Sequence, residues 1–146
     1  MTLFQLAERF RNEIKEQPGA VQHPFIQWCH SLSGLGFDQP DEVPWCSSFV
    51  NAICWMLRLP RSKSAAARSW LGVGTVIDLV EATIGYDIVI LRRFINGIDN
   101  GVSGHVGIYA GHDSTSVFLL GGNQSNQVTL APFLRSDIIG VRRLKE

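Results

Sequence analysis

The chain has 146 residues, 45% of them hydrophobic and 18% charged, with 13 Lys+Arg against 13 Asp+Glu. That length is about one domain's worth, and a balanced charge gives no electrostatic reason to expect nucleic acid or an anionic membrane as partner. No apolar run reaches transmembrane length, so membrane insertion is not expected.

The first element is read from "MTLFQLAERFRNEIKE". Thr2 followed by Gln5 has the form of a capping box, and Leu3, Ala7, Phe10 and Ile14 recur at helical spacing, up to a stop at Pro18-Gly19. The same stretch lacks the apolar core of a signal peptide, so the chain is expected to be made in the cytoplasm and to leave it by another protein's pore or machinery. A second short helix follows Pro24, with Phe25, Trp28 and Leu32 on one side. "FDQPDEVP" is a turn-rich loop leading into "WCSSFVNAICWML", a helix that stops at Pro60. "SAAARSWL" gives one further short helix.

From about residue 86 the pattern changes to strands. "YDIVILRR" is β-branched and short, and "HVGIYAG" and "SVFLLGG" are apolar runs split by "HDST", the signature of a hairpin. "FINGIDNGVSG" reads as a Gly/Asn-rich loop, and "QVTLAPF" and "DIIGVRRL" complete a small antiparallel sheet. Helices first and strands second predict an α+β fold, a helical layer on one face of the sheet. The expected organisation is one domain over 1–146, with a helical N-terminal region to about 40 and a core over about 41–143.

Three cysteines, Cys29, Cys46 and Cys54, leave at least one thiol unpaired within the chain. The histidines at 23, 30, 105 and 112 show no zinc-ligand spacing beside them, so no metal or other cofactor is expected. Cys46 opens a helix, where unpaired backbone N–H groups and the helix dipole favour a thiolate and can receive an oxyanion. Cys54, inside the same helix, has the position of a core residue.

A nucleophilic cysteine needs a base, and His105 is the histidine that opens a strand, "HVGIYAG". Alternation puts His105, Gly107 and Tyr109 on one face, where glycine beside histidine leaves room for the start of a helix. His112 falls in the predicted turn, and His23 and His30 are assigned to the surface. With the hairpin turn near 113–114, His105 falls opposite residues 121–123, so Asn123 is the polar candidate to orient the imidazole. Gln124 is next if the register slips by one. Pairing 105 with 123 sets Gly107 against Gly121 and Tyr109 against Leu119, an open glycine patch for the Cys46 helix to dock on.

"DEVPWCSSFVN", "ARSWL", "DIVIL", "GHVGIYAG" and "LLGGNQSN", in this order, resemble the motifs of NlpC-like and CHAP-type cysteine peptidases and amidases, above all the small single-domain branch of phage lysis proteins and bacterial cell-wall hydrolases. The resemblance runs from about residue 40 to 143. It implies Cys46 as nucleophile, His105 as base and Asn123 as orienting residue, on a papain-like α+β core with the cysteine helix packed against the sheet. "IGYDIV" replaces the Pro-Gly-Asp that commonly leads into the first strand in these families, and no glutamate lies near Asn123 to serve as a CHAP-type third member. Residues from about 72 to 86 fit the pattern poorly.

The implied function is peptidoglycan hydrolysis at an amide of the stem peptide, as an endopeptidase or an N-acetylmuramoyl-L-alanine amidase, in a phage-type lysis enzyme. Asp41, Glu42 and Trp45, just before the nucleophile, are candidates to line the substrate cleft, though loop acids and a packing indole describe them equally well. Arg68 and Trp70 are shared with the family branch without an assigned role. Two other readings stay open: a secreted wall-degrading toxin with an immunity or export partner, and a silent wall-binding or virion structural module.

Overall fold

The structure is a computed structural model and describes residues 1–16, 23–35 and 44–145. Three α-helices come first: α1 (Leu3–Glu8), α2 (Pro24–Ser31) and α3 (Cys46–Leu57). A 3-10 turn over Ala67–Gly72 leads to six strands: β1 (Thr75–Val76), β2 (Asp87–Ile95), β3 (Ile98–His112), β4 (Ser116–Gln124), β5 (Gln127–Leu134) and β6 (Ile138–Arg143). They form one antiparallel sheet in the order β1-β6-β2-β3-β4-β5. No described helix is long and apolar enough to cross a membrane.

The sheet, not a helical layer, is the larger part of the regular structure. Strands make up 38% of the molecule and helices 29%, which overturns the expected papain-like core with a small sheet. Two local misreadings explain the difference. The first helix is short because its C-terminal half is claimed by the sheet. The capping box at Thr2 forms, but Asn12 N–H donates to Val128 O at 2.8 Å, and Val128 N–H donates to Ile14 O at 3.0 Å. Lys15 then bridges to Gln127 beside β5. Partners far along the chain outcompete a helical period that is real but short.

The second misreading is "FINGIDNGVSG", which is no loop. Asn96 and Gly97 both have positive φ, 52° and 76°, the backbone of a two-residue hairpin turn, and β3 starts at Ile98. Asn-Gly between apolar residues is a strong hairpin signal.

Alternation along the strands divides the core in two. Ile88, Ile90, Val106, Ile108 and Leu120 face the helices and pack with Trp45, Phe49 and Ile53. Val89, Leu91, Tyr109, Leu119 and Val141 fill the opposite face. Helix α3 packs on β3 and β4 at Gly122, where an added Cβ would stand 2.6 Å from the Trp45 ring and 2.8 Å from Phe49 Cβ. The expected docking patch, Gly107 with Gly121, lies on the other face and is occupied differently, as described below.

Helix α2 buries Ile26, Cys29 and His30 in place of the predicted Phe25, Trp28 and Leu32 side. His30 is therefore no surface histidine: it is fully buried, with Nδ1 at 2.9 Å from Ser48 Oγ. Phe25 and Trp28 instead join an aromatic cluster with Phe10, Phe49 and Trp55.

Candidate active site

Cys46 is the first residue of α3, behind an N-cap, Trp45, that makes no side-chain cap. The first-turn N–H groups are thus left without a side-chain acceptor from the cap. Around this turn the chain builds a rigid collar. Ser47 Oγ donates to Ser64 O at 2.6 Å and accepts from Trp70 Nε1 at 2.8 Å. Asn51 Nδ2 donates to Ser47 O at 3.1 Å, and its Oδ1 accepts from Lys63 N–H at 2.9 Å. Trp70, unassigned from sequence, holds the residue next to the thiol. Arg68 ties the same 3-10 turn to the start of β3 through Ser103 O and Asp99.

Trp45 lines no cleft. Its indole is fully buried, packed against Gly122 and Phe49, and Nε1 donates to Glu16 Oε1 at 2.7 Å. Asp41 and Glu42 lie outside the described residues.

Cys46 and His105 are brought together, both nearly buried at 4% and 2% exposure. The His105 ring and the backbone N–H of Val106 stand close enough to the Cys46 sulfur to lower its pKa. Burial alone raises a thiol's pKa. At Cys46 that effect is outweighed by the charge and polar contact of His105, by the nearby Val106 N–H and by the charge of Arg93, so the pKa falls below the ordinary thiol value. The other two cysteines are the internal contrast. Burial pushes Cys54 up to about 12, against a small opposing effect of Arg61, and holds Cys29 well above the usual thiol range.

The partner of His105 on its other side is Gln124, not Asn123. His105 Nε2 and Gln124 Oε1 are 2.9 Å apart. The reason lies in a β-bulge. The β3–β4 ladder pairs Tyr109 with Leu119 and Ile108 with Leu120, as the sequence register expects. Past Gly121 the β4–β5 register shifts, so that Gly121 faces Thr129 but Gln124 faces Gln127. Asn123, inside the shift, has φ 58°. One extra residue in a left-handed conformation resets which side chain points to which face. Gln124 thereby takes the place that strict alternation gives to Asn123.

The amide of Gln124 is oriented by its own donors. Nε2 donates to Leu119 O at 3.0 Å and to Thr129 O at 2.8 Å. Both contacts are carbonyls, so the Nε2 assignment is forced and Oε1 must face the histidine as an acceptor. His105 Nε2 then carries a proton, and Nδ1 is the nitrogen left for sulfur. Among the described residues Nδ1 has no hydrogen-bond partner. The glycine patch is the amide's seat: a Cβ at Gly121 would come 2.5 Å from Gln124 Oε1, and one at Gly107 3.4 Å from it.

The ring is also held from the side, stacked on Phe133 at 5.0 Å between centroids and 29° between planes. Sequence reasoning missed Phe133 and Arg93. Arg93 was within reach, because β2 pairs Leu91 with His105 and Arg93 lies two residues on. Phe133 depends on β5 folding back beside the histidine, for which no local signal exists. His112 ends β3 and meets Tyr109 Oη through Nδ1 at 2.6 Å, so it is a second ring in a hydrogen bond, not a solvated turn residue. No group of three His, Cys, Asp or Glu residues with metal-binding geometry occurs among the described residues.

Comparison with family models, with curated proteins and with solved structures gives no match.

Proposed function

We propose that the protein is a thiol hydrolase of amide bonds, with Cys46 as nucleophile, His105 as general base and acid, and Gln124 as the residue that orients the imidazole. The observation that carries this reading is the one-sided polarity of His105: Nε2–H donates to Gln124 Oε1, leaving Nδ1 for the sulfur. A structural histidine needs no such tautomer control, and a structural cysteine in this burial has a raised pKa, as Cys54 does.

The steps follow from those positions. Nδ1 takes the proton of Cys46, and the thiolate attacks the carbonyl carbon of the substrate amide. The negative charge that develops on the carbonyl oxygen is received by the backbone N–H of Cys46 at the helix N-terminus. As the tetrahedral intermediate collapses, Nδ1–H protonates the departing amine and a thioester remains. Nδ1 then accepts a proton from water, the hydroxide attacks the thioester, and the carboxylic acid leaves as sulfur regains the proton. Gln124 stays neutral throughout and holds Nε2–H in place.

Peptidoglycan stem peptide is the proposed substrate, on the strength of the ordered Cys, His and "LLGGNQSN" motifs. The test is digestion of purified peptidoglycan followed by mass spectrometry of the fragments. New amine and carboxylate termini produced by the wild type and absent with Cys46→Ala are expected, and they identify the bond. Equal release by both proteins refutes the thiol mechanism.

A further inference from the structure

A cleft of about 240 Å³ opens beside the histidine, lined by Arg93, His105, Asn123, Ser125, Pro132 and Phe133 among others. It is smaller than pockets that enclose a whole drug-sized ligand, so it suits one group of a longer substrate. Phe133 and Pro132 supply an apolar wall, and Asn123 and Ser125 add neutral polar groups. Arg93 brings the cleft its positive charge.

The position of Arg93 is unusual. The β2–β3 ladder pairs Arg92 with Gly104 and then resumes at Phe94 with Asp99, so Arg93 on β2, opposite residues 100–103 of β3, lies within the irregularity. Other arginines of the sheet and its flank are engaged: Arg92 holds Asp137, Arg68 holds Asp99 and, at the far end of β2, Arg143 holds Asp87. No carboxylate pairs with the Arg93 guanidinium among the described residues. The same charge is close enough to act on Cys46. A half-buried arginine facing a cleft with its fork unfilled matches a carboxylate, which it can bind through two parallel hydrogen bonds.

We propose that Arg93 is the specificity residue of this site: it pairs with a free carboxylate of the substrate close to the amide attacked by Cys46, so that anionic peptides are taken in preference to their carboxamide counterparts. This rests on the thiol amidase reading above. A charge-assisted hydrogen bond contributes on the order of 1.5–3 kcal/mol, which corresponds to a preference of roughly 10- to 100-fold.

The experiment compares a synthetic stem tetrapeptide with free carboxylates against the same peptide with those groups as carboxamides. The ratio of their kcat/KM values is expected at roughly 10 to 100 for the wild type, mainly through KM, and near one for Arg93→Gln. Arg93→Lys keeps the charge but not the fork, and should fall between. Loss of charge near the thiolate alone would slow both peptides alike and leave the ratio untouched. A wild type that does not distinguish the peptides, or an Arg93→Gln variant that keeps the full ratio, overturns the proposal while the amidase reading survives. Calorimetric binding to Cys46→Ala, with and without Arg93→Gln, separates the two ideas from the other side. Should neither peptide be cleaved, carboxylate-selective binding that Arg93→Gln removes upholds the carboxylate site and refutes the amidase. Binding without such selectivity refutes the site.

Discussion

Gln124 Oε1 lies 2.9 Å from His105 Nε2 while both protons of the Gln124 amide are held by the carbonyls of Leu119 and Thr129. The amide cannot turn over without setting its NH2 against the histidine and its oxygen against two carbonyls. A neutral side chain thus fixes one tautomer of the imidazole.

Gln124→Ala should reduce kcat roughly 10- to 1000-fold, less than His105→Ala, for which roughly 10²- to 10⁴-fold is typical. Asn123→Ala touches no contact of the ring and should cost far less. Asn123→Gly should leave the fold intact, since glycine takes the positive φ freely. Kinetics of the four variants, each verified as folded by circular dichroism, decide the matter. A larger loss for Asn123→Ala than for Gln124→Ala is the result that contradicts the hydrogen-bond assignment.

Gln124→Glu tests the donors. A carboxylate there faces the carbonyls of Leu119 and Thr129 with acceptors against acceptors, so the variant should lose roughly 1–3 kcal/mol of stability near neutral pH. Lowering the pH protonates the new carboxyl, restores one donor and should recover part of that loss. Urea melts across pH measure it; a variant as stable as wild type at neutral pH argues that the two carbonyl contacts carry no weight.

Gly121→Ala places a methyl group 2.5 Å from Gln124 Oε1. Overpacking of this kind costs about 1–3 kcal/mol, and here it also displaces the amide from the ring, so activity should fall with stability. Gly122→Ala meets Trp45 and Phe49 on the other face and should loosen the seat of α3. Thermal melts and activity together distinguish them: Gly122→Ala with unchanged melting would mean that α3 does not pack there.

The thiols should separate by pH. Cys46 has its pKa lowered chiefly by His105 against the effect of burial, so iodoacetamide should label it first, with a rate that stays high below the ordinary thiol pKa. His105→Ala removes that charge and polar contact and should shift the labelling profile upward. Labelling of Cys29 or Cys54 ahead of Cys46 in the folded protein is incompatible with the assigned nucleophile.

Cys54 gives the opposite sign. Its folded pKa, raised to about 12, exceeds that of the unfolded thiol, so the stabilisation it reflects is complete below the unfolded value and is lost as pH rises from there towards 12. Above the unfolded pKa this contributes a fall of about 1.4 kcal/mol per pH unit. Cys54→Ala should show a shallower alkaline slope of unfolding free energy than wild type. Parallel slopes would show that the buried thiol is not coupled to stability in that range.

Much of this arrangement is local and could be read from residue order. The capping box at Thr2, the helix start at Cys46, the strand alternation through His105 and the Tyr109–Leu119 pairing all depend on neighbours a few residues apart, or on a hairpin of short reach. The Asn96-Gly97 turn was equally legible by its dipeptide. What the tertiary structure alone decided involves competition between distant groups. Asn12 leaves a helical period for Val128 O, and His30 turns inward to Ser48. Gln124 displaces Asn123 because a bulge of one residue inverts every later side chain, and its position is set by the ladder with β5. Phe133 and Arg93 come to the cleft by strand pairing and by a second register shift. Alternation predicts a face only while the ladder is regular; where it breaks, the packing of the sheet selects the side chain that meets the histidine.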